Sequence, residues 1–214
     1  MKLFLDSAIT KDIIDRHKTG LIAGVTTNPT LIKKSGDNPL NVYKKLIDAG
    51  IHDISMEVIG ETDSDFFQRG VNLYKEYGEY VTIKLPCCVE ALKACKRLSD
   101  LNIRTNVTLV FSASQAILAS LAGATYISPF IGRMDDNSLD GMKLINDISN
   151  ALTGNTQILA ASIRDPQSVG VAFSLGAHIC TVPVNVFDKM YEHVLTAKGI
   201  EQFNLDASKF YPFS

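Results

Sequence analysis

The stretch Tyr80-Val81-Thr82-Ile83-Lys84-Leu85-Pro86 has the pattern of a short β-strand, because it is rich in β-branched and aromatic residues and ends in a proline. Side chains alternate across a strand, so three aliphatic residues share one face while Thr82 and Lys84 share the other. In an edge strand Lys84 would reach solvent. In a central strand Lys84 would be buried and its charged form disfavoured, and a neutral lysine is a nucleophile that can form an imine with a carbonyl.

Predicted strands and helices alternate on both sides of this stretch. The eight predicted strands span residues 2–6, 21–27, 53–58, 80–86, 104–109, 125–128, 157–161 and 178–182. Helical patterns follow them at residues 8–18, from a Pro-containing turn to 48, then at 64–77, 89–99, 114–122, 139–152, 166–175 and 186–195. Such alternation predicts a parallel sheet with helical crossovers, and eight units in 214 residues suit a closed (β/α)8 barrel, the TIM barrel.

A doubly wound open sheet is the structural alternative. Such sheets usually carry a glycine-rich phosphate turn after the first strand, and Asp6-Ser7-Ala8-Ile9 contains no glycine. No Pro-, Gly- or Ser-rich linker interrupts the sequence, so we expect residues 1–214 to form a single domain. Residues 199–214 would form an extra, helical tail.

The composition is that of an ordinary globular protein without a large charge imbalance. Its formal net charge of −2 predicts no binding of nucleic acid or anionic membranes, and no apolar run approaches the ~20 residues of a membrane span. The four cysteines lack disulfide spacing and the four histidines lack ligand spacing, so we expect free thiols, no metal site and no cofactor. The apolar start is too short for a signal peptide, which predicts a cytoplasmic protein.

Polar residues stand at or just beyond the carboxyl ends of the predicted strands, which meet at one rim in a (β/α)8 barrel. Taken singly, each could be a helix cap or turn residue, for example Asp6, Ser128 or Ser162. Buried polar groups cost free energy unless they are paired, so their convergence near Lys84 favours a functional site. The set comprises Asp6, Asn28, Glu57, Lys84, Asn106, Thr108, Ser128 and Ser162.

Two arginines follow the later strands, Arg133 after the sixth and Arg164 after the seventh. Guanidinium groups bind phosphate oxygens bidentately, and barrels often bind phosphate with their later loops. Ordinary surface arginines are the alternative. With a nucleophilic Lys84 and the carboxylates Asp6 and Glu57, the two arginines predict carbon–carbon bond chemistry on a phosphorylated sugar through an imine. A metal-dependent aldolase would need a ligand cluster, and the sequence shows none.

Several segments resemble, in order, the motifs of the transaldolase family. They are GVTTNPTLI at 24–32, VTIKLP at 81–86, NVTLVFS at 106–112, SPFIGR at 128–133 and ASIR at 161–164. The match covers nearly the whole chain, and the length is that of the small transaldolases, close relatives of the fructose-6-phosphate aldolases. The resemblance implies transfer of a dihydroxyacetone unit in the pentose phosphate pathway, from sedoheptulose 7-phosphate or fructose 6-phosphate to glyceraldehyde 3-phosphate or erythrose 4-phosphate.

The resemblance also implies a role for each matching position. Lys84 corresponds to the imine-forming lysine, and Asp6 to the residue that handles the substrate hydroxyl during carbon–carbon cleavage. Glu57 and Thr108 correspond to a pair that positions a catalytic water. The implied contacts of the three-carbon unit are Asn28, Asn106, Ser128 and Phe130, and those of the phosphate are Arg133, Ser162 and Arg164.

Glu57 and Phe130 are transaldolase-like, since the family's aldolases usually have Gln and Tyr at these positions. An aldolase that releases free dihydroxyacetone remains an alternative, as does a non-catalytic barrel that binds sugar phosphates. Cys88, where the family usually has Thr, and Ala91, where Gly is usual, depart from the pattern. Both lie at a predicted helix start, so they put its capping in doubt.

The tail carries aromatic residues that a complete barrel does not need, and exposed aromatics often mark an interface. They are Phe203, Phe210, Tyr211 and Phe213. Small members of the family are ring-like homo-oligomers whose tail packs on a neighbouring subunit, so the resemblance implies a homo-oligomer, a pentamer or a decamer. A tail folded over its own barrel is the alternative.

Overall fold

The computed structural model describes residues 1–210, apart from the side chains of residues 209 and 210, and its eight parallel strands close into a barrel. The strands are β1 (Lys2–Asp6), β2 (Ile22–Thr26), β3 (Ile54–Glu57), β4 (Val81–Pro86), β5 (Thr105–Val110), β6 (Tyr126–Pro129), β7 (Gln157–Ala160) and β8 (Ile179–Val182). Each strand pairs with the next, and β8 pairs with β1. The predicted TIM barrel is therefore confirmed, and the open doubly wound sheet is wrong.

Helices follow the strands and cover the outside of the barrel. In the described residues they are α1 (Thr10–His17), α2 (Pro29–Ser35), α3 (Pro39–Asp48), α4 (Asp63–Tyr77), α5 (Val89–Asp100), α6 (Ala113–Leu121), α7 (Ile131–Asp135), α8 (Gly141–Ala151), α9 (Pro166–Ser174), α10 (Val184–Lys189) and α11 (Val194–Phe210). A 3₁₀ turn at Gly78–Tyr80 leads into β4. None of these helices is long and apolar enough to cross a membrane.

The strand bounds agree with the sequence prediction to within one residue, whereas three helical regions differ. The pattern that ran to residue 48 is divided by Gly36, which takes a left-handed conformation at φ 70° and ends α2. The predicted helix at 186–195 is two helices, α10 and α11. Helix α7 was not predicted, because five residues are too few to show a helical period.

Strand β4 lies between β3 and β5, so the edge-strand interpretation of Lys84 is wrong. Ile83 faces the helices, where a Cβ on Gly70 of α4 would lie 3.2 Å from its Cγ2. Thr82 and Lys84 face the inside of the barrel, and Lys84 is only 3% exposed. The alternation read from the sequence therefore places aliphatic side chains between sheet and helices, and the lysine inside.

Aromatic rings fill the amino-terminal part of the barrel interior. Phe4 and Tyr126 make an edge-to-face contact with ring centroids 6.2 Å apart. Gly24 allows this packing, because a Cβ there would lie only 2.6 Å from both Cζ of Phe4 and the carbonyl oxygen of Asp53. The interior is thus closed by large side chains at one end, and the site residues occupy the other.

Helix α11 extends away from the barrel with an exposed apolar surface. Phe203 is 73% exposed, and Val194, Leu195, Ile200 and Leu205 are exposed as well. Within the described residues α11 has no extensive contact with another helix or strand. The helical tail therefore begins earlier than expected, at Val194. Tyr211, Phe213 and the side chain of Phe210, which the sequence prediction included, lie outside the described residues.

Candidate active site

A cavity of about 480 Å³ opens at the carboxyl ends of the strands. Nine of the eleven predicted site residues line it: Asp6, Asn28, Glu57, Lys84, Thr108, Ser128, Phe130, Arg133 and Ser162. The two that do not are Asn106, which is buried beneath the cavity, and Arg164, which is exposed beside it. The nine residues come from seven successive strand–loop units, β1 to β7, and therefore converge on one space.

Lys84 is held at the floor of this cavity by two acceptors. Its Nζ donates to the carbonyl oxygen of Thr27 at 2.9 Å and lies 3.1 Å from Oε2 of Glu57. Glu57 and Lys84 are register partners on adjacent strands, so the closure of β3 on β4 sets their distance. A buried amine with a carboxylate beside it can pass its proton to that carboxylate, which is what activation of a lysine nucleophile requires.

Asp6 faces the same space from β1. Its Oδ1 accepts a hydrogen bond of 2.7 Å from Oγ1 of Thr26, and Oγ1 of Thr181 lies 2.7 Å further on. Burial raises the pKa of Asp6 from its ordinary value; the charge of Lys84 and the Thr26 hydrogen bond oppose this rise, and the charge of Glu57 adds to it. A carboxylate whose pKa is raised takes and returns protons more readily near neutral pH.

Thr108 supplies a buried hydroxyl without a protein partner. Among the described residues, its Oγ1 makes no hydrogen bond although Thr108 is only 1% exposed. The next residue, Leu109, has a positive φ of 58°, and the register with β6 shifts at this point. Strained backbone and unpaired buried polar groups persist mainly at functional sites. Because Thr108 lines the cavity, its hydroxyl is available to bond a molecule there.

A chain of hydrogen-bonded polar side chains leads from the cavity wall into the barrel interior. Ser128 donates from Oγ to Oδ1 of Asn106 at 2.7 Å, and Nδ2 of Asn106 donates to Oγ of Ser55 at 3.1 Å. Asn106 therefore supports Ser128 from beneath. At the rim, Asn28 caps α2, because its Oδ1 accepts from the backbone N–H of Leu31 at 2.9 Å, and its amide nitrogen remains for the cavity.

The helix-cap alternative does not apply to the other polar strand-end residues. The residues at the N-cap positions of α1, α7 and α9 are Ile9, Phe130 and Asp165, so Asp6, Ser128 and Ser162 do not cap these helices. Cys88 stands at the N-cap of α5 without a side-chain capping bond. The sequence put the capping of this helix in doubt because Cys88 replaces the usual Thr, and the missing side-chain bond agrees with that expectation.

The two arginines differ in their surroundings. Arg133 lines the cavity, with its guanidinium carbon 5.0 Å from the centroid of the Phe130 ring. Arg164 forms a bidentate ion pair with Asp136 instead. Ser162 lines the cavity in a left-handed conformation, at φ 61°, and its carbonyl accepts from the N–H of Gly132 at 3.1 Å.

Eight further residues line the cavity that sequence reasoning did not select: Thr26, Pro29, Thr30, Leu31, Lys34, Leu109, Ala161 and Thr181. Strand alternation could have found Thr26 and Thr181, because each is a polar residue on the inward face of its strand and stands at or next to the end of that strand. Lys34 lies in the second turn of α2, where no strand pattern points to it. It adds a second cation to the cavity rim. Within the described residues, no group of three or more His, Cys, Asp or Glu is placed to hold a metal ion.

Comparison with known proteins agrees with this geometry. The family model described as Transaldolase/Fructose-6-phosphate aldolase matches residues 3–211. The chain belongs to this family. A probable transaldolase of Caulobacter vibrioides is 49% identical over 96% of both chains. A probable transaldolase of Hyphomonas neptunium is 47% identical over 98% of both, and one of Paracoccus denitrificans is 46% identical over 98% of this chain and 97% of its own. Family membership makes the chain a transferase- or aldolase-type enzyme.

A more distant likeness concerns the fold alone. The structure of FabK from Thermotoga maritima superposes with a TM-score of 0.53 at 14% sequence identity. The alignment covers 85% of this chain but only 57% of the FabK chain, so the matched region is little more than half the length of FabK. Such a match supports the barrel and carries no information on chemistry.

Proposed function

We propose that the protein is a transaldolase that transfers a dihydroxyacetone unit between phosphorylated sugars through an imine on Lys84. The proposed donors are sedoheptulose 7-phosphate and fructose 6-phosphate, the acceptors are glyceraldehyde 3-phosphate and erythrose 4-phosphate, and the setting is the pentose phosphate pathway. The observation that carries the proposal is a buried lysine in an open cavity, 3.1 Å from one carboxylate and within electrostatic reach of a second.

Imine formation begins when Lys84 passes a proton to Glu57 and its nitrogen attacks the ketone carbon of the donor. The carbonyl oxygen then leaves as water, taking a second proton from the amine and one returned by the acid. Glu57 is the group close enough to exchange these protons. The unpaired hydroxyl of Thr108 provides a second contact for the departing or returning water.

Carbon–carbon cleavage is the step assigned to Asp6. The carboxylate takes the proton of the C4 hydroxyl, whose oxygen becomes the carbonyl of the released aldehyde. The electron pair of the C3–C4 bond moves to the protonated imine and leaves an enamine on Lys84. In the second half-reaction the enamine carbon attacks the acceptor aldehyde, and Asp6 returns its proton to the new hydroxyl. The raised pKa of Asp6 suits a group that must both take and give a proton.

The remote end of the substrate is assigned to the cationic side of the cavity. Arg133 and Ser162 line it, and Arg164 lies beside Ser162. Binding energy from a phosphate at this end would orient the reacting carbons without taking part in bond breaking. Asn28, Ser128 and the supporting Asn106 are proposed to hold the hydroxyls of the three-carbon unit.

Reductive trapping tests the imine. Incubation with fructose 6-phosphate and borohydride should leave a dihydroxyacetone-derived adduct on Lys84, found by peptide mass mapping. A Lys84→Met chain and a Lys44→Met chain serve as negative and positive controls, since Lys44 is exposed on α3. Absence of an adduct on Lys84 would remove both enzyme hypotheses and leave the sugar-phosphate-binding barrel.

Fructose-6-phosphate aldolase activity is the alternative on the same scaffold. It would release the three-carbon unit to water instead of an acceptor. Because Glu57 and Phe130 are the positions at which the two activities differ in the family resemblance, we expect Glu57→Gln with Phe130→Tyr to raise the aldolase to transaldolase ratio. Assays with and without erythrose 4-phosphate measure both rates. An unchanged ratio would remove these two residues from the argument.

We also propose that the protein is a homo-oligomer, a pentamer or decamer, in which α11 packs on a neighbouring subunit. The exposed apolar residues of α11 and the absence of extensive contact between α11 and the rest of the described chain support this. Light scattering of an Ile200→Glu, Phe203→Glu variant tests it, and a mass equal to that of the unmodified protein would refute the role of α11. Four free cysteines support a reducing, cytoplasmic location.

A further inference from the structure

We propose that Asp136 is a positioning residue for phosphate recognition, holding the guanidinium of Arg164 so that its remaining N–H edge faces the anion site beside Ser162. The inference rests on the proposed function, which assigns Arg164 to the phosphate. Asp136 directly follows α7, the short helix that carries Arg133. Nη1 and Nη2 of Arg164 each donate to one oxygen of the Asp136 carboxylate.

This pairing occupies only one edge of the guanidinium. A guanidinium has five N–H donors, and bonding through Nη1 and Nη2 leaves the Nε–H and two outer N–H groups available. Within the described residues no protein acceptor bonds Nε–H. The free edge, formed by Nε and one Nη, is the fork that binds a phosphate or carboxylate side-on.

Gly132 shows which way the free edge lies. A Cβ built on Gly132 would sit 2.8 Å from Nε of Arg164 and 3.1 Å from Oγ of Ser162. Nε is therefore the part of Arg164 nearest to this point, and it borders the same backbone position as the Ser162 hydroxyl. Ser162 lines the cavity, so Nε of Arg164 borders a residue of the cavity wall while Asp136 holds the opposite, Nη1–Nη2 edge. The absence of a side chain at Gly132 makes this approach possible.

Charge and exposure argue that the ion pair serves binding more than folding. The Arg164 hydrogen bond lowers the pKa of Asp136, and the charge of Arg133 lowers it further, so the carboxylate stays ionised near neutral pH. Both side chains are about half exposed, at 55% for Arg164 and 48% for Asp136. Exposed pairs contribute little to stability. Fixing a long arginine side chain in advance removes part of the entropy loss that phosphate binding would otherwise require.

Asp136 also has an effect that would weaken phosphate binding. The carboxylate of Asp136 repels a phosphate at the same site, so its removal would strengthen binding if repulsion dominated. Repulsion between solvent-exposed charges weakens as ionic strength rises, whereas the entropy cost of fixing a mobile side chain does not depend on salt. We therefore expect loss of positioning to prevail, and to prevail more clearly at higher salt.

The experiment measures binding of inorganic phosphate by calorimetry, and KM and kcat for fructose 6-phosphate, in four chains: unmodified, Asp136→Ala, Arg164→Ala and the double variant. Asp136→Ala should weaken phosphate binding and raise KM by about three- to tenfold with kcat nearly unchanged, as expected for one mobilised side chain. Arg164→Ala should have a larger effect, and the double variant should equal Arg164→Ala, because Asp136 acts only through Arg164.

Asp188→Ala is the matched control, because Asp188 forms a second bidentate pair among the described residues, the part-buried pair with Arg16, and neither residue lines the cavity. It should leave phosphate binding and KM unchanged. Tighter phosphate binding in Asp136→Ala, unchanged binding, or additive effects in the double variant would each overturn the inference. A chain without transaldolase activity in which Asp136→Ala still weakens phosphate binding would refute the proposed function and leave the inference standing. If Arg164→Ala leaves phosphate binding and KM unchanged, both the phosphate assignment of Arg164 and the inference are overturned.

Discussion

Both ends of the barrel hold a carboxylate beside a cation, but the two sites are built differently. At the amino end, Asp53 accepts from Thr82 Oγ1 at 2.7 Å and from the Tyr126 hydroxyl at 2.6 Å, and Arg104 lies 3.1 Å from its Oδ2. At the carboxyl end, Glu57 pairs with Lys84 at the floor of a cavity. We call these the Asp53 cluster and the Lys84 site.

The two sites differ in how completely their polar groups are hydrogen-bonded. Both oxygens of Asp53 have donors, and each donor comes from a different strand or loop, so the Asp53 cluster ties the amino end of the barrel together. The Lys84 site contains a buried hydroxyl on Thr108 that no residue described in the structure bonds, and a second carboxylate, Asp6, whose pKa is raised by burial. A fully paired polar cluster contributes to stability, whereas an incompletely paired one sacrifices stability for chemistry.

Lys84→Met should give the largest effect. Loss of the nucleophile should reduce transaldolase activity by at least about 10⁴-fold. The free energy of unfolding should change little, because removal of a desolvated ammonium group offsets the loss of its ion pair with Glu57, whose side chain is 18% exposed to water. Coupled enzyme assays and urea titration measure the two quantities. A large loss of stability would mean that the Lys84 site is as structural as the Asp53 cluster, and the contrast between the two ends would fail.

Asp6→Asn should reduce activity by about 10²- to 10⁴-fold, the usual contribution of a general acid–base residue. Because the folded pKa of Asp6 lies above its ordinary value of 3.8, the native state binds this proton more tightly than the unfolded chain. The contribution of Asp6 to stability is therefore present at low pH and is lost as pH rises from 3.8 through the folded pKa.

The asparagine variant should accordingly be at least as stable as the unmodified chain at pH 7. It should also lack the acidic limb of the pH–rate profile, which in the unmodified enzyme reports protonation of Asp6. Thermal unfolding at several pH values and the profile of kcat against pH measure these outcomes. An acidic limb that persists in Asp6→Asn would assign the proton transfer to another group.

Asp53→Asn should act in the opposite sense, on stability and not on catalysis. It keeps a residue type that tolerates the left-handed backbone, at φ 64°, while it removes the charge shared by Arg104 and two buried hydroxyls. The free energy of unfolding should fall by about 2–4 kcal/mol. The kcat of the folded protein should change less than twofold. If kcat falls with an intact fold, the two ends of the barrel are coupled.

Tyr126→Phe should give the smallest effect, because Arg104 and Thr82 still bond Asp53. A loss of about 1.5 kcal/mol in the free energy of unfolding is expected, the lower end of the range for a hydrogen bond to a charged group. Burial, with the charge of Asp53, raises the pKa of Tyr126, so its contribution to stability is lost as pH rises above the unfolded value of 10.0. Urea titrations at pH 8 and above pH 10 should show a smaller decline for the variant than for the unmodified chain.

The strands and the nucleophile could be read from the sequence because their signals are local. Alternation within six residues predicts which side of β4 faces the helices, and polar residues at strand ends converge once the barrel is assumed. The hydroxyl chain that reaches Asp6 could not be read in the same way. Thr26 and Thr181 are 155 residues apart, and only closure of β8 on β1 brings them together.

The surroundings of the two arginines could not be read fully from the sequence either. Their positions after the sixth and seventh strands predicted a common anion site, and Arg133 does line the cavity. Arg164 is instead paired with Asp136, a residue of unremarkable sequence context whose position depends on where α7 ends. The sequence shows which side chains are available, but the partner of a long, flexible cation depends on neighbours from other segments.

By itself, then, the sequence determined the order of strands and helices, the inward face of each strand and the presence of one buried lysine among polar strand ends. These follow from periodicity and from the cost of burying unpaired polar groups, both of which act over a few residues. Only the tertiary structure decided that Lys84 meets Glu57, that Thr108 has no hydrogen-bond partner within the described part of the chain, and that Asp136 holds Arg164. Those distances depend on how eight strands close into a ring, which no local pattern encodes.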